Sequence, residues 1–477
     1  MSGTKKGSWP AIDDIVSHVG AGTVNATTNV KKAIQLIEEN KEFNAIIAVI
    51  NDRSLERAKM IDEQIASGQP VGRLAGVPFI AKDNFLTFGS QTTAASNILR
   101  GFEAPFQATA IDKLEAEGAI CVAKANLDAF AHGGSTENSD FGTTLNPHDP
   151  TRIPGGSSGG SAASVALSLT PFALGSDTGG SCREPASFSG CVGYKPTYGL
   201  ISRYGVIAMA SSTDVVGILA RDVTETGLIL DILAGKDNHD STTVDRQESY
   251  IVTGAKQKTL RVGVISEFMG EGVDSGVRSA IEGAITDLKN IGHEIIDISM
   301  PSLELALAAY YIIVPAEVSS NLSRYDGQRY GFSATDTDSL DDSYSKSRGI
   351  GFGAEAKRRI MIGTYVLSSG YYDAYYKKAA KLRTKLINEF DNAFTKVDIL
   401  IGPTVPITAP KIGEFSDDPL SMYLLDIMTV PVNLVGVPAV SIPCGKINGM
   451  PVGIQMIAPV KRDKELLEFA KQFEGCR

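Results

Sequence analysis

The sequence predicts an α/β fold built on one large mixed, mostly parallel β-sheet covered by helices on both faces, and three observations carry that expectation. Segments with apolar residues at helical spacing alternate with short, near-continuous apolar runs, the pattern of strands buried on both sides. Helical segments stop at Gly68, Gly118 and Gly292, and apolar runs follow. Lys82 and the loop after Gly175 stand at the ends of such runs, where open α/β sheets gather functional side chains.

Residues 27–40 place Val30, Ala33, Ile34 and Ile37 on one helical face, and 44–50 is rich in strand formers. A helix over 53–67 precedes GVPFIAKDN, whose buried strand, 77–81, delivers Lys82 at its carboxyl end. A helix over 108–117 and a buried strand over 119–123 come next. The stretch GGSSGGSAASVALSLTPFALGSDTGGSCREPA, residues 155–186, reads as loop, small-residue helix (161–168), strand (171–175) and second loop (178–181). Asp222 and Glu225 make a D-x-x-E start for a helix over 223–234. Residues 260–265, 275–291 and 294–298 form a further strand–helix–strand run. The polar, glycine-rich stretch 325–352 reads as a long loop or lid. A tyrosine- and lysine-rich helix around 371–394, strands at 397–401, 439–442 and 452–456, and a closing helix from about 464 complete the chain.

At 477 residues, 43% of them apolar, the chain has material for a sizeable core, and no linker divides it. A net charge of −10 argues against a broad phosphate-binding surface, so any nucleic acid is expected to be held by a partner, with local basic patches only near 357–359 and 377–385. No run of 18 apolar residues predicts a membrane span, and the start MSGTKKGSWPAIDD lacks the apolar stretch of a secretory signal. Five cysteines without paired spacing point to reduced thiols in a reducing compartment. The five histidines form no H-E-x-x-H or other ligand pairing, so no metal is expected.

The serine–glycine loops carry the chemistry. Glycines let backbone N–H groups crowd a reacting atom, and inward-turned N–H groups stabilise an oxyanion. Loop–helix–strand–loop returns the chain on itself, so Ser157 and Ser181, 24 residues apart, come to face one another. GGSSG fits the nucleophile-elbow pattern with Ser157 as nucleophile, but the proline-rich NPHDPTRIP precedes it where a strand is required. His239 and His293 are the downstream histidines available to such a triad. No G-x-x-x-x-G-K-[ST] phosphate loop occurs here. A lysine amine serves as base where histidine is missing, provided its pKa falls by roughly 3 units, about 4 kcal/mol. Burial of Lys82 between apolar strands works in that direction.

GVPFIAKDN, GGSSGGSAA and GSDTGGS, in this order and at this spacing, resemble the amidase-signature hydrolases. The resemblance implies that family's fold, with Ser181 as nucleophile, Ser157 as a bridging serine after a non-proline cis peptide, and Lys82 as base. It also implies an oxyanion hole from the N–H groups of Thr178, Gly179, Gly180 and Ser181. Cys182, Glu184 and Ser187 are unusual for that neighbourhood, and they leave the three catalytic positions intact.

Four further blocks, GKDNHDST (235–242), YYIIVPAEVSSNLSRYDGQRYG (310–331), KRRIMIGTYVLSSGYYDAYYKKA (357–379) and MYLLDIMTVPVNLVGVPAVSIPCG (422–445), look like the A-subunit family of glutamyl-tRNA(Gln) amidotransferases. That resemblance implies one domain over 1–477, with a catalytic core at about 70–245 and glutamine-site and lid elements at about 300–445. It implies Arg359, with neighbouring Arg358 as the alternative, on the glutamine α-carboxylate, Asp426 on its α-amino group, and Tyr310 lining the site. A zwitterion asks for one fixed cation and one fixed anion, and a guanidinium meets a carboxylate bidentately. The implied assembly is a heterotrimer with the B and C subunits of such an amidotransferase, in bacterial cytoplasm or an organelle matrix. ATP, Mg and the Glu-tRNA(Gln) grip are expected on the B partner, and this chain is expected to hold no cofactor. A free-standing amidase and a non-catalytic scaffold are the rival readings.

Overall fold

In the computed structural model, which describes residues 9–252, 258–416 and 418–476, the apolar runs become eleven strands. They are β1 (Ile46–Val49), β2 (Pro78–Lys82), β3 (Ile120–Ala125), β4 (Phe172–Asp177), β5 (Val192–Lys195), β6 (Val215–Ala220), β7 (Arg261–Ile265), β8 (Glu294–Ile298), β9 (Ile399–Pro403), β10 (Ala439–Ile447) and β11 (Met450–Ile457). One sheet contains them all, in the order β1-β3-β2-β4-β6-β5-β10-β11-β9-β7-β8. The sheet is mixed as expected, but it is not mostly parallel. Parallel pairing joins β2 to β3 and β4, and β7 to β8 and β9, while the other six pairings are antiparallel. Turn chemistry explains part of the difference. Asn448 and Gly449 both adopt positive φ (50° and 86°), the requirement of a tight two-residue hairpin, so β10 and β11 pair antiparallel.

Apolar clusters lie on both faces of the sheet. Along β9, Ile399 and Ile401 join one core and Leu400 the other, as a two-residue repeat requires. The expected helices form at Ala26–Glu39, Asn51–Ala66, Thr109–Ala116, Gly159–Ala166, Val223–Leu233, Ser275–Asn290, Tyr376–Lys396 and Asp463–Gly475. The Asp222 carboxylate accepts from the Glu225 N–H (2.9 Å), the cap that the D-x-x-E pattern anticipates.

The stretch 325–352 is a loop only in its first half. Leu340–Gly351 is helical, with Ser339 capping it by accepting from the Asp342 N–H. This segment is fastened down: Phe332 N–H donates to the Ile98 carbonyl (2.9 Å) and the Ser96 hydroxyl to that of Gly351 (3.0 Å). Further helices unannounced by a clear sequence pattern are Ile12–Gly20, Arg183–Ser189, Ala306–Asn321 and Ala354–Leu367. The helical run Pro301–Arg324 is long and apolar enough by length and composition to cross a membrane, although charged residues interrupt it and no unbroken run of 18 apolar residues occurs. Here Ala309, Tyr310, Ile313, Val314 and Val318 are buried in the second core. The first eight residues of the amino-terminal reading lie outside the described residues.

Helix Ala354–Leu367 crosses Ala306–Asn321 at Gly363, where an added Cβ would stand 1.9 Å from the Pro315 carbonyl oxygen. Gly363→Ala is therefore expected to push these helices apart at a cost of about 1–3 kcal/mol. Thermal denaturation reads the loss of stability. The Michaelis constant of the same variant reads displacement of Arg359, one turn earlier on that helix.

Candidate active site

Lys82 ends β2, fully buried, and its Nζ reaches three serine hydroxyls: Ser157 (2.7 Å), Ser158 (2.8 Å) and Ser176 (2.9 Å). A fourth contact is the Ser176 carbonyl at 3.3 Å. No carboxylate forms an ion pair with it among the described residues. Burial pushes the amine down from the usual lysine value to about 8. β2 and β4 lie side by side in parallel, so Lys82 and the Ser176–Ser181 segment emerge from the same edge of the sheet.

Ser157 follows a cis Gly156–Ser157 peptide bond, and the first loop is packed too tightly for side chains at its glycines. A Cβ on Gly156 would stand 2.2 Å from an Asp128 carboxylate oxygen. Asp128 itself accepts from the N–H groups of Thr136 (2.9 Å) and Asn138 (3.1 Å), and burial raises its carboxyl to about 6. The two serine–glycine loops touch where the Ser158 N–H donates to the Ser181 carbonyl (3.1 Å).

The second loop is held by Asp177, the last residue of β4 before it. Asp177 accepts from the Cys182 N–H (3.1 Å) and pairs with Arg183 (2.9 Å), both side chains fully buried. Burial alone would raise the Asp177 carboxyl, but the adjacent guanidinium prevails and holds it near 2. Thr178 donates to Asp214 (2.8 Å), and Thr429 to the Gly179 carbonyl (2.6 Å). Among the described residues the backbone N–H groups of Thr178, Gly179, Gly180 and Ser181 have no acceptor. Four unused donors in consecutive residues beside a serine hydroxyl are suited to an oxyanion.

Next to these loops is a cavity of about 320 Å³ lined by Gly134, Tyr311, Glu355, Arg359, Tyr423 and Asp426. Arg359 is 3% exposed, its Nε donates to Glu355 (2.8 Å), and its guanidinium lies over the rings of Tyr311 (5.4 Å) and Tyr423 (5.8 Å). Arg358 also reaches the cavity rim and pairs with Glu355, but its side chain is 44% exposed, which leaves Arg359 as the fixed cation. Asp426 lies in the turn before helix Val430–Val435, with the Tyr311 hydroxyl 3.5 Å from its Oδ2. Tyr310 is buried against the second loop: a Cβ on Gly179 would lie 2.6 Å from its hydroxyl oxygen.

The structure thus gathers Lys82, Ser157, Thr178–Ser181, Tyr310, Arg359 and Asp426 around two adjoining loops and one cavity. The histidine alternative fails on position: His239 stacks on Tyr204, and His293 accepts from the Leu260 N–H (3.2 Å). Sequence reading misses Ser158, Ser176, Asp128, Arg183 and the Tyr311–Tyr423–Glu355 clamp. Ser158 and Ser176 sit inside the quoted motifs, whereas the clamp has no local signature. Among the described residues no group of side chains is arranged to hold a metal ion, and no disulfide forms.

The family model described as Amidase matches residues 28–467. The chain belongs to the amidase family. Relatives in that family include the A subunit of the glutamyl-tRNA(Gln) amidotransferase of Caldanaerobacter subterraneus, 51% identical over 94% of this chain and 93% of its own. Its namesake from Staphylococcus haemolyticus is 44% identical over 98% of this chain and 97% of its own. Among solved structures, the corresponding A subunit of Thermotoga maritima superimposes with a TM-score of 0.78 at 39% identity, covering 93% of this chain and 90% of that one. A 6-aminohexanoate cyclic dimer hydrolase of the same fold gives 0.84 at 27% identity, covering 98% and 97%.

With Lys82 as the expected base, its burial and lowering to about 8 give a pH test of the site. Only neutral Lys82 accepts a proton, so amide hydrolysis should rise about tenfold per pH unit at acid pH and level off above about 8. Lys82→Met should lower kcat/KM by about 10²–10⁴-fold and abolish that limb. A pH–rate profile of wild type against the variant, with folding checked by circular dichroism, is the measurement.

Proposed function

We propose that this chain is the glutamine-hydrolysing subunit of a tRNA-dependent amidotransferase, releasing ammonia for the conversion of Glu-tRNA(Gln) to Gln-tRNA(Gln). The observation that carries the reading is a buried cation and a half-buried carboxyl, Arg359 and Asp426, on one cavity beside the Lys82–Ser157 pair. Such a cavity suits the carboxylate and ammonium of a free amino acid. Similarity to amidotransferase A subunits over nearly the whole chain supports the same conclusion.

Neutral Lys82 takes the proton of the Ser157 hydroxyl, which takes that of Ser181. The Ser181 oxygen then bonds to the side-chain amide carbon of glutamine. The oxyanion is received by the N–H groups of Thr178–Ser181. Collapse breaks the carbon–nitrogen bond, and the proton returns through Ser157 to the leaving amine, which departs as ammonia. Water attacks the γ-glutamyl ester on Ser181, its proton following the same relay, and glutamate is released. The B and C subunits would complete a heterotrimer, with ATP and Mg bound on the B partner, in bacterial cytoplasm or an organelle matrix. The second reading, a free-standing amidase, draws on the likeness to the 6-aminohexanoate cyclic dimer hydrolase.

Glutamate release should appear or rise when the B and C subunits are added, and Ser181→Ala should lower it by at least about 10³-fold. Brisk hydrolysis of simple amides by the lone chain, with glutamine ignored, favours the free-standing amidase. Full activity in Ser181→Ala removes Ser181 as nucleophile.

A further inference from the structure

Glu184 is fully buried, and among the buried carboxyls of the described residues it is the one for which both oxygens lack a hydrogen-bond donor. It stands on the first turn of helix Arg183–Ser189, three residues beyond Ser181, with its N–H on the Gly180 carbonyl (2.8 Å). A Cβ on Gly134, which lines the cavity, would lie 3.2 Å from Glu184 Oε2. A Cβ on Gly180 would lie 3.2 Å from Asp426 Oδ1. The buried Glu184 and the half-buried Asp426 therefore stand side by side on the wall between the second loop and the cavity.

Among the described residues no cation is free to neutralise both. Arg183 is committed to Asp177 and Arg359 to Glu355. The groups facing the pair are Asp128 from the loop after β3, Asp177 at the end of β4, and Tyr310 and Tyr311 from helix Ala306–Asn321. Arg359 from helix Ala354–Leu367 and Arg183 face Asp426. Burial, then the Asp426 charge, pushes the Glu184 carboxyl well above the usual range. Adjacent carboxyls in such a place hold at least one proton between them.

We propose that Glu184 acts as a neutral carboxylic acid whose O–H donates to the Asp426 carboxylate, aiming that carboxylate at the substrate ammonium group and setting an upper pH limit on substrate affinity. Glu184 is a positioning residue, acting through Asp426, and the identity of the ammonium group rests on the glutamine reading. As pH rises and Glu184 loses its proton, the donor disappears and two like charges face each other, so Asp426 loses its fixed orientation.

The test uses the assembled complex and its glutaminase KM across pH for wild type, Glu184→Gln and Glu184→Ala. Glutamine keeps a donor toward Asp426 and cannot ionise. Glu184→Ala should raise KM at neutral pH about tenfold with kcat changed far less, and Glu184→Gln should recover most of that loss. The ratio of wild-type KM to that of Glu184→Gln should climb with pH. Parallel profiles, a ratio that falls, or a Glu184→Gln as impaired as Glu184→Ala would overturn the proposal. A second measurement needs no substrate: the infrared difference spectrum of wild type minus Glu184→Gln should show a protonated-carboxyl band at neutral pH, and its absence contradicts the inference. If that band is present while the wild-type complex ignores glutamine, the hydrogen bond stands and the glutamine reading falls.

Discussion

The site depends on burying the Lys82 amine among hydroxyl groups and away from any ion-pair partner. Full desolvation disfavours the ammonium form, while three serine hydroxyls satisfy the amine without stabilising its charge as a carboxylate would. Lys124, one strand away on β3 and equally buried, shows the contrast: it is ion-paired to Asp83 at 2.9 Å. Lys195 shows that a lowered pKa alone identifies nothing. Burial takes it to about 7, yet its Nζ donates to the Pro196 carbonyl and, among the described residues, reaches no nucleophile. What distinguishes Lys82 is a depressed pKa together with a short contact to Ser157.

The second constraint is the buried Asp177–Arg183 pair. Arg183 also donates to the Thr429 carbonyl (3.1 Å), to Gln455 on β11 and to Asn433, so the loop bearing Ser181 is tied to the far half of the sheet. Thr429 closes the circuit by donating to the Gly179 carbonyl, three residues from Asp426. The second serine–glycine loop and the turn carrying Asp426 are therefore one hydrogen-bonded unit, and movement of either displaces the other. A buried ion pair adds little stability over an apolar replacement, but losing one partner costs about 3–5 kcal/mol because the other charge is stranded.

How much of this is legible in the sequence follows from the range of each interaction. Lys82 and Ser181 lie in short motifs that close or follow apolar runs, which strand periodicity picks out, whereas Ser157 follows a proline-rich loop and is marked by its serine–glycine motif alone. Tyr310, Arg359 and Asp426 are reached through longer blocks that resemble a family, since no local spacing marks them. The clamp of Tyr311, Tyr423 and Glu355 exists only where three distant segments meet, so periodicity carries no trace of it. Apolar patterning overestimates parallel pairing because buried antiparallel strands such as β6 read as the same continuous apolar run. The Asn448–Gly449 dipeptide holds the hairpin signal that corrects it. The helix Leu340–Gly351 escapes a periodicity reading because its face is mostly polar and its anchors, Ser96 and Ile98, lie far away in sequence.

The most direct measurement is peptide mapping by mass spectrometry of the complex quenched in acid during turnover of glutamine. The account requires a glutamyl ester on the peptide carrying Ser181, absent when Lys82 is replaced. An adduct on Ser157 or on a cysteine, or steady turnover with none trapped on Ser181 under any quench, would contradict it.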